Sequence, residues 1–299
     1  MNAIIFGASG QDGHYLARIL KREGLEVAAV SRHSPGLQLD VSDALGVRNI
    51  VRKLKPKYIF HLAATSTISH DALWSNHASI ASGTLAILDA VAHEHPLAKV
   101  FIAGSALQFV NRGEPIDESA ELDYSNPYSL ARNHSLYASR YFRSRGLKVY
   151  FGFLFHHDSP FRSSQHLSMR IAEAAAQAAS GSKTNLKIGD IEARKEFNFA
   201  GDITEAIWSL ISQDSVFESV IGSGICHPIT EWIRLCYRHV GLDWTKHVQI
   251  DPSFQSTYQR IVSNPAKIYG LNWRPRTSLN ELTEIIMQEA LHRTAILSP

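Results

Sequence analysis

The sequence has few cysteines, little net charge and no long apolar segment. Its 299 residues include only Cys226 and Cys236, too few for a disulfide framework, which favours a reducing compartment. Basic and acidic residues nearly cancel, at 30 against 28, so the charge gives no sign of binding to nucleic acid or an anionic membrane surface. No apolar run reaches the roughly 18 residues of a membrane-spanning helix, and the first residues do not resemble a signal peptide. We expect a cytoplasmic protein without membrane or nucleic-acid partners.

Short apolar runs alternate with longer amphipathic segments through the first half of the chain. At 299 residues and 44% hydrophobic content, the chain is long enough for a large core and a second, smaller lobe. Strands are predicted where Val, Ile and Phe cluster, at residues 2–8, 26–32, 58–64, 99–105 and 148–155. Helical spacing falls between them, at residues 12–24, 43–55 and 82–95. This order predicts an α/β fold, a doubly wound parallel sheet with helices on both faces.

The pattern loosens after about residue 155. Helices are predicted at residues 169–181, 230–241 and 279–293, and an extended piece at residues 184–190. We therefore expect a smaller mixed α/β C-terminal lobe, packed in part by Trp232, Trp244 and Trp273. The predicted division is residues 1–155 for the first domain, to which some later segments return, and mainly residues 156–299 for the second lobe.

A glycine-rich loop follows the first predicted strand and precedes the first predicted helix. Its glycines allow a tight turn and let the backbone and the helix N-terminus approach a pyrophosphate. In this context the loop predicts dinucleotide binding rather than an ordinary turn. The residues assigned to the cofactor here are Gly7, Ser9, Gly10, Gln11, Asp12 and Gly13.

The end of the second predicted strand bears on the choice of dinucleotide. An acidic residue there would bind the adenosine ribose hydroxyls and favour NAD, but the sequence has Ser31, Arg32 and His33, which suit a 2′-phosphate. We predict NADP, with NAD as the alternative; Arg32 could instead be a solvated surface charge. Asp40 follows a further short strand and could reach the adenine edge or, like Asp43, cap a helix.

Tyr128 and Arg132 form a pair that suggests a proton donor. Their spacing of four residues places both on one face of a helix. A tyrosine that passes its proton to a carbonyl group works best beside a cation, and a third group must orient the carbonyl oxygen. Ser105, at the end of a predicted strand, can be that third group. The alternative is a site that has lost its chemistry.

Six segments together resemble the extended short-chain dehydrogenase/reductase family, and within it most closely the GDP-mannose 4,6-dehydratase group. They occur in the same order nearly end to end: "GASGQDGHYLARIL", "IFHLAATSTI", "NPYSLAR", "LFHHDSP", "GDIEARKEFNFAGDITEAIW" and "NPAKIYGLNWRPRTSLNEL". The resemblance implies a Rossmann cofactor domain and a lobe that holds a nucleotide-diphosphate sugar. It also adds Leu62, Ala63 and Ala64, in the second segment, to the cofactor-binding residues.

The resemblance also implies roles for the tyrosine and the serine, and exposes two departures. Tyr128 would be the acid/base in hydride transfer at C4 of a hexose, with Ser105 bonding the C4 oxygen. The dehydratase glutamate that removes the C5 proton is replaced by Leu107, and neither Ala106 nor Gln108 can serve. Arg132 stands where the family has a lysine that bonds the nicotinamide ribose, and its planar fork places donors differently.

Residues for the sugar nucleotide carry over from the family unevenly. His156 stands in place of an asparagine, Arg170 in place of a phosphate-binding lysine, and Lys195 with Glu196 in place of an Arg-Asp pair. Gln255 replaces a phosphate-binding arginine, and Asp202 matches a family aspartate that supports the fold. The residues assigned to the substrate are His156, Arg162, Arg170, Lys195 and Arg260. Arg170 could also be a solvated charge, and His156 and His157 could be satisfied by backbone groups.

Two further expectations concern metals and assembly. The two adjacent histidines have no matching ligand cluster elsewhere, so we predict no metal. Relatives pair through helices of the cofactor domain, and the helix bearing Tyr137 and Tyr141 could support a homodimer.

Three functional hypotheses follow from these residues. The first is an NAD(P)-dependent 4-ketoreductase of a nucleotide-activated 4-keto-6-deoxy sugar, which needs Tyr128, Ser105 and a cation but no C5 base. The second is a GDP-mannose 4,6-dehydratase or a sugar-nucleotide epimerase in which another group replaces the glutamate. The third is a protein that binds cofactor and nucleotide sugar with little catalysis.

Overall fold

The computed structural model describes residues 2–33, 36–254, 256 and 258–297. The strands are β1 (Ala3–Phe6), β2 (Val27–Ser31), β3 (Leu37–Gln38), β4 (Tyr58–His61), β5 (Lys99–Ser105), β6 (Lys148–Leu154), β7 (His157–Asp158), β8 (Leu186–Ile188), β9 (Arg194–Glu196), β10 (Asn198–Phe199), β11 (Glu218–Ile221), β12 (Cys226–Pro228), β13 (Val248–Ile250) and β14 (Arg260–Ile261). The α-helices are α1 (Gln11–Arg22), α2 (Ala44–Leu54), α3 (Leu73–Asn76), α4 (Gly83–Glu94), α5 (Pro127–Ser144), α6 (Leu167–Ala179), α7 (Ala200–Ile211), α8 (Ile229–His239), α9 (Ala266–Tyr269) and α10 (Leu279–Leu297). Short turns of other helix types are His70–Ala72, His77–Ser82, Ala106–Gln108 and Trp244–Lys246.

Seven parallel strands form the central sheet, in the order β11-β6-β5-β4-β1-β2-β3. The chain winds outward in one direction from β1 and in the other from β4, so the strand order reverses between them. Ligands bind at the carboxyl edge of such a sheet, beside this reversal. The predicted doubly wound fold is confirmed, including the five strands expected in the first half.

Helices cover both faces of the sheet because neighbouring side chains of each strand point to opposite sides. Ile4 packs in a core with residues of α2 and α4, whereas Ile5 packs in a second core with residues of α1 and α7. Strand β11 is therefore part of the central sheet and helix α7 covers one of its faces, although both lie after residue 155. The domain boundary at that residue stays a prediction.

A third core lies among α6, α8 and α10. Trp232 is fully buried there and stacks on Phe197, with ring centroids 4.9 Å apart, and Trp244 packs at its edge. The expectation for Trp273 was wrong, because it packs against the sheet core and its indole N–H donates to the Asp202 carbonyl at 3.0 Å. No helix in the described part of the chain is both long and apolar enough to span a bilayer.

Candidate active site

The loop between β1 and α1 leaves no room for side chains at two of its glycines. Gly7 has a φ of +89°, and a Cβ added there would lie 2.6 Å from the Ala63 backbone nitrogen. A Cβ at Gly13 would lie 2.6 Å from the Gly7 carbonyl oxygen. Helix α1 begins after Gly10 without a side-chain cap, so its first N–H groups are available to an anion.

A first cavity of about 200 Å³ opens beside this loop. Its lining includes most of the residues predicted for the cofactor: Gly7, Ser9, Gly10, Arg32, Asp40, Leu62, Ala63 and Ala64. The buried Ser31 hydroxyl also lines it and has no hydrogen-bond partner within the described part of the chain. An unpaired buried hydroxyl, tight glycines and an open helix N-terminus all fit a bound dinucleotide, whose sugar and phosphate oxygens would satisfy these groups.

The structure separates the two candidate helix caps, Asp40 and Asp43. The Asp43 carboxylate accepts the Gly46 N–H at 3.0 Å and caps α2. The Asp40 carboxylate accepts the Ser42 N–H and hydroxyl at 2.9 and 2.8 Å, and these bonds, the backbone one above all, lower the pKa of Asp40. Asp40 thus stays ionised on the cavity wall.

The side chains of Gln11 and Asp12 contact the segment that follows β6, and they do not line the first cavity. The Gln11 amide accepts from the Ser159 hydroxyl at 2.9 Å, and Asp12 Oδ1 lies 2.9 Å from His157 Nε2. Burial alone would lower the pKa of His157, but the Asp12 carboxylate outweighs burial and raises it. Burial likewise opposes ionisation of Asp12, yet the charge of His157 leaves its pKa lowered. The ion pair between Asp12 and His157 thus joins the start of α1 to the segment after β6, which are 145 residues apart in the sequence.

A second cavity of about 360 Å³ continues from the first and shares Leu62 and Ala64 with it. Ser105, Tyr128 and Arg132 all line this cavity. Tyr128 lies in the first turn of α5. Asn126 caps the N-terminus of this helix, because the Asn126 side-chain oxygen accepts the Tyr128 N–H at 3.1 Å. The three residues predicted for catalysis therefore meet at the carboxyl edge of the sheet.

Ser105 is held by the turn that follows β5. Its hydroxyl oxygen accepts the Leu107 N–H at 3.2 Å, and its own N–H donates to Gln108 Oε1 at 2.7 Å. The buried Gln108 amide also donates to Asn133 Oδ1 at 3.1 Å. Gln108 is thus a cap for the turn.

Arg132 contacts Tyr128, as the spacing predicts, but from beneath the ring. Its guanidinium carbon lies 5.1 Å from the Tyr128 ring centroid, and its Nη1 donates to the Ala103 carbonyl of β5. The side chain is 4% exposed, and its buried Nε has no hydrogen-bond partner among the described residues. The cation is therefore fixed behind the tyrosine.

His61, at the end of β4, is a nearby residue that the sequence did not reveal. Burial, followed by the charge of Arg132, lowers the pKa of His61 to about 3, so the imidazole is neutral. Its Nδ1 is buried and has no partner among the residues that the structure describes. Its Nε2 lies 3.4 Å from the Ile80 carbonyl oxygen, so its position depends on packing between β4 and the turn His77–Ser82.

Leu107 lines the second cavity and packs beside Tyr128. Among the described residues that line this cavity, Asp12 is the only carboxylate, and it is paired with His157. The wall that would carry the dehydratase glutamate is therefore apolar.

Charged side chains fill the wall formed by the residues after β6 and by β9. His156 Nε2 lies 2.6 Å from Asp158 Oδ2 and 3.2 Å from Lys195 Nζ. Burial lowers the pKa of His156 to about 4, and burial also lowers the pKa of Lys195 to about 8. Arg162 donates to the His157 carbonyl at 2.7 Å and pairs with Asp158 at 3.4 Å.

No group of three metal-ligating side chains occurs in the described ranges.

A third cavity of about 470 Å³ lies beyond Lys195, which lines both it and the second cavity. It combines apolar and aromatic walls with cations: Leu167, Arg170, Lys187, Ile188, Arg194, Lys195, Ile229, Phe254 and Tyr258 are among its lining residues. Arg194 and Lys187 were not predicted for the site. Two carboxylates, Asp190 and Asp251, also line this cavity, but four cations outnumber them, so the lining suits an apolar group beside an anionic one.

Arg260 does not join the other predicted substrate residues. Its Nη1 donates to the Gly113 carbonyl at 3.1 Å and its Nε lies 3.5 Å from Cys226 Sγ, and it lines neither the second nor the third cavity. Arg260 lies in β14, which pairs in parallel with β9, and β9 pairs in antiparallel with β12. These pairings fix the position of Arg260. Gln255 lies outside the described residues.

Glu196 and Asp202 support the fold. The buried Glu196 carboxylate accepts the Ser263 N–H at 2.6 Å and the Ser223 N–H at 2.7 Å, which ties β9 to two turns. Asp202 Oδ2 accepts the Thr277 N–H at 2.8 Å. The expectation for Asp202 agrees with this contact.

The fold and the site define an NAD(P)-dependent enzyme of the extended short-chain dehydrogenase/reductase family, of the kind that modifies sugar nucleotides. A family model described as GDP-mannose 4,6 dehydratase matches residues 4–286, and the chain belongs to this family. The resemblance drawn from the sequence motifs is confirmed.

Curated relatives and solved structures match over nearly the whole chain. GDP-mannose 4,6 dehydratase 1 of Arabidopsis thaliana is 27% identical over 97% of this chain and 89% of its own length. The GDP-mannose 4,6 dehydratase of Homo sapiens is 25% identical over 94% and 88%. RMD from Pseudomonas aeruginosa complexed with NADPH superposes with a TM-score of 0.86, at 19% identity, over 98% of this chain and 100% of its own. UDP-glucose 4-epimerase of Thermus thermophilus in complex with NAD gives 0.82, at 22% identity, over 97% and 99%. The two structures share the fold.

Proposed function

We propose that this protein is an NADPH-dependent 4-ketoreductase of a nucleotide-diphosphate 4-keto-6-deoxyhexose. The observation that carries the proposal is the lining of the second cavity, where Ser105, Tyr128 and Arg132 lie together but Leu107 replaces a C5 base. Reduction of a ketone needs one proton donor and no second base, whereas C–H deprotonation without a base loses on the order of 10²–10⁴ in rate.

The chain's own residues divide the work of reduction. The nicotinamide, when bound, supplies the hydride to C4. Tyr128 donates its hydroxyl proton to the C4 oxygen, and the Ser105 hydroxyl orients that oxygen by a hydrogen bond. The Arg132 charge behind the ring stabilises the phenolate left on Tyr128.

The preference for NADP rests on the end of β2. Arg32 and His33 line the first cavity, and no carboxylate follows β2 directly to bind the ribose hydroxyls. A guanidinium beside the ribose favours a 2′-phosphate.

The sugar nucleotide would occupy the second and third cavities. Lys195 lies between them and Arg170 and Arg194 line the third, which supports binding of a diphosphate across their junction. The neighbouring Phe254 and Tyr258 suit a nucleotide base.

A homodimer in the cytoplasm is the form we propose for the enzyme. Tyr137 and Tyr141 on α5 are 59% and 57% exposed, and Leu130 on the same helix is 51% exposed. Their spacing of seven and four residues forms one apolar stripe, which a second copy could cover.

Dehydration of GDP-mannose is the second candidate function, and family membership over residues 4–286 favours it. Replacing Leu107→Glu tests it. A large gain of 4-keto product from GDP-mannose would mean that the native chain lacks the dehydratase base, whereas little gain would mean that another group already serves.

The experiment for the main proposal is an absorbance assay of the purified protein with NADPH and GDP-4-keto-6-deoxymannose. Substrate-dependent oxidation of NADPH is the expected result. A parallel reaction with GDP-mannose is checked for keto product. Absence of both activities, with cofactor binding verified separately, would count against the proposal and favour a protein that binds without turnover.

A further inference from the structure

The side chains that line the second cavity include a charged group and an apolar group. The charged group contains His156, Arg162 and Lys195, which contact one another directly or through Asp158. The apolar group contains Ala64, Leu107 and the ring of Tyr128, which pack together in one cluster. A ligand in this cavity therefore meets two surfaces of different polarity.

Leu107 lies beside the two residues that bind the carbonyl oxygen in the proposed reaction. Its N–H donates to the Ser105 hydroxyl oxygen at 3.2 Å, and its side chain packs in the same cluster as Tyr128. Gln108 fixes this turn, because its Oε1 accepts the Ser105 N–H at 2.7 Å. The Leu107 side chain is thus held near any group that Ser105 and Tyr128 bind.

The surroundings of Leu107 offer no partner to a hydroxyl group. Apart from Tyr128, its cluster consists of side chains that neither donate nor accept hydrogen bonds: Ala64, Ile80, Ala81 and Ala131. Of the other hydroxyl groups that line the cavity within the described residues, Ser66 is exposed to water and Tyr258 also lines the third cavity. A hydroxyl group against Leu107 would lose water without gaining a partner, whereas a methyl group would only leave water.

A 4-keto hexose has two different neighbours beside its carbonyl carbon. C3 carries a hydroxyl group, whereas C5 carries C6, which is a methyl group in a 6-deoxy sugar and a hydroxymethyl group otherwise. Hydroxyl groups pair with imidazole, guanidinium and ammonium groups, and a methyl group packs on apolar side chains. The two groups of the lining therefore favour an orientation with C3 toward Lys195 and His156 and C6 toward Leu107.

We propose that Leu107 is a specificity-determining residue, which contacts the C6 methyl group and selects a 6-deoxy sugar over the same sugar with a 6-hydroxyl group. The inference rests on the proposed function, because it takes the C4 carbonyl as the group held by Ser105 and Tyr128. Leu107 is then more than the absence of a carboxylate, since its apolar surface chooses the substrate.

Two sugar nucleotides that differ by one oxygen atom test the proposal. GDP-6-deoxymannose and GDP-mannose are titrated by calorimetry into the full-length protein saturated with NADPH. Both sugars are alcohols at C4, so bound NADPH cannot reduce them and only binding is measured. We expect wild-type protein to bind GDP-6-deoxymannose about tenfold more tightly.

Variants of similar size assign the preference to Leu107. Leu107→Asn should abolish it, because an amide can pair with the 6-hydroxyl group, whereas Leu107→Met should keep it. Leu97→Asn places the same amide at a position that is 82% exposed, and it should bind both sugars as wild type does.

Thermal unfolding and NADPH binding verify that each variant is folded. If Leu107→Asn is not, Leu107→Thr takes its place with the same expectation. The comparison of the two sugars on wild-type protein depends on no variant.

The outcomes separate this inference from the proposed function, which the NADPH oxidation assay decides. Equal affinities of wild type for the two sugars would overturn the inference and leave the reductase proposal standing. Tighter binding of GDP-6-deoxymannose without oxidation of NADPH by the keto sugar would overturn the reductase proposal alone. Binding of neither sugar would overturn both.

Two further results would also count against Leu107. Tighter binding of GDP-mannose would overturn the inference and favour dehydration, whose substrate carries the 6-hydroxyl group. A preference for the deoxy sugar that survives in Leu107→Asn would assign the selection to another part of the cavity.

Discussion

The sites that we predict for the cofactor and for the sugar, here called the cofactor end and the sugar end, are built in different ways. The cofactor end depends on backbone: the Gly7 conformation, the missing Cβ of Gly13 and the open N-terminus of α1 all lie within one short segment. The sugar end depends on charged side chains from distant segments, such as His156 and Lys195. A backbone-built site depends on residues adjacent in the chain, whereas a side-chain-built site depends on how whole segments pack.

This difference explains where the family pattern is kept and where it departs. Steric exclusion at Gly7 and Gly13 leaves no other residue type, so the loop matches its family. At the predicted sugar end, one cation can replace another and a histidine can replace an amide while the fold persists. The following predictions sharpen this comparison.

Removing the Tyr128 hydroxyl should have the largest effect on turnover. We expect Tyr128→Phe to lower kcat for keto-sugar reduction by about 10²–10⁴, because the carbonyl oxygen loses its proton donor. NADPH affinity, measured by fluorescence titration, should change little, since the ring and its contact with Arg132 remain. A variant that reduces at the wild-type rate would refute the assigned role.

Gly13→Ala should weaken NADPH binding about 100-fold. The new Cβ would lie 2.6 Å from the Gly7 carbonyl oxygen, so the loop must shift. Gly10→Ala is the matched comparison, because its nearest atom would be 3.4 Å away and its φ of −77° suits alanine. Calorimetry should find a much smaller loss for Gly10→Ala; equal losses would show that loop shape does not control binding.

The sugar end should respond to pH through Lys195. Burial lowers the pKa of Lys195 to about 8, so its ammonium is charged below that pH and neutral above it. KM for the sugar nucleotide should therefore rise about tenfold between pH 7 and 9. Initial rates measure this, and Lys195→Met should show a high KM with no such rise. A rise that persists in Lys195→Met would assign it to another group.

Arg32→Ala should have the smallest effect, a loss of about tenfold in affinity for NADPH with affinity for NADH unchanged. The guanidinium contributes only if a 2′-phosphate is present. Parallel titrations with both cofactors measure the difference. Equal losses would indicate that Arg32 is a general part of the cavity wall.

Local pattern was enough for the sheet and the loop, and for the contact between Tyr128 and Arg132. It was not enough for Trp273 or for Arg260, whose side chains pack away from their expected places. Nor did it reveal His61 or Arg194, although their neighbours Leu62 and Lys195 were predicted for the site, because the contacts of each side chain depend on how the segments pack.

The sequence by itself determined the parallel sheet and the glycine-rich loop, and it predicted Tyr128 and Ser105 as a catalytic pair, because each follows from residues near one another in the chain. Only the tertiary structure decided that Asp12 lies against His157, that the Ala103 carbonyl holds the Arg132 guanidinium and that Lys195 lies against His156. The members of these pairs are 145, 29 and 39 residues apart in the chain. Their energies come from burial and charge, which appear only when the segments meet.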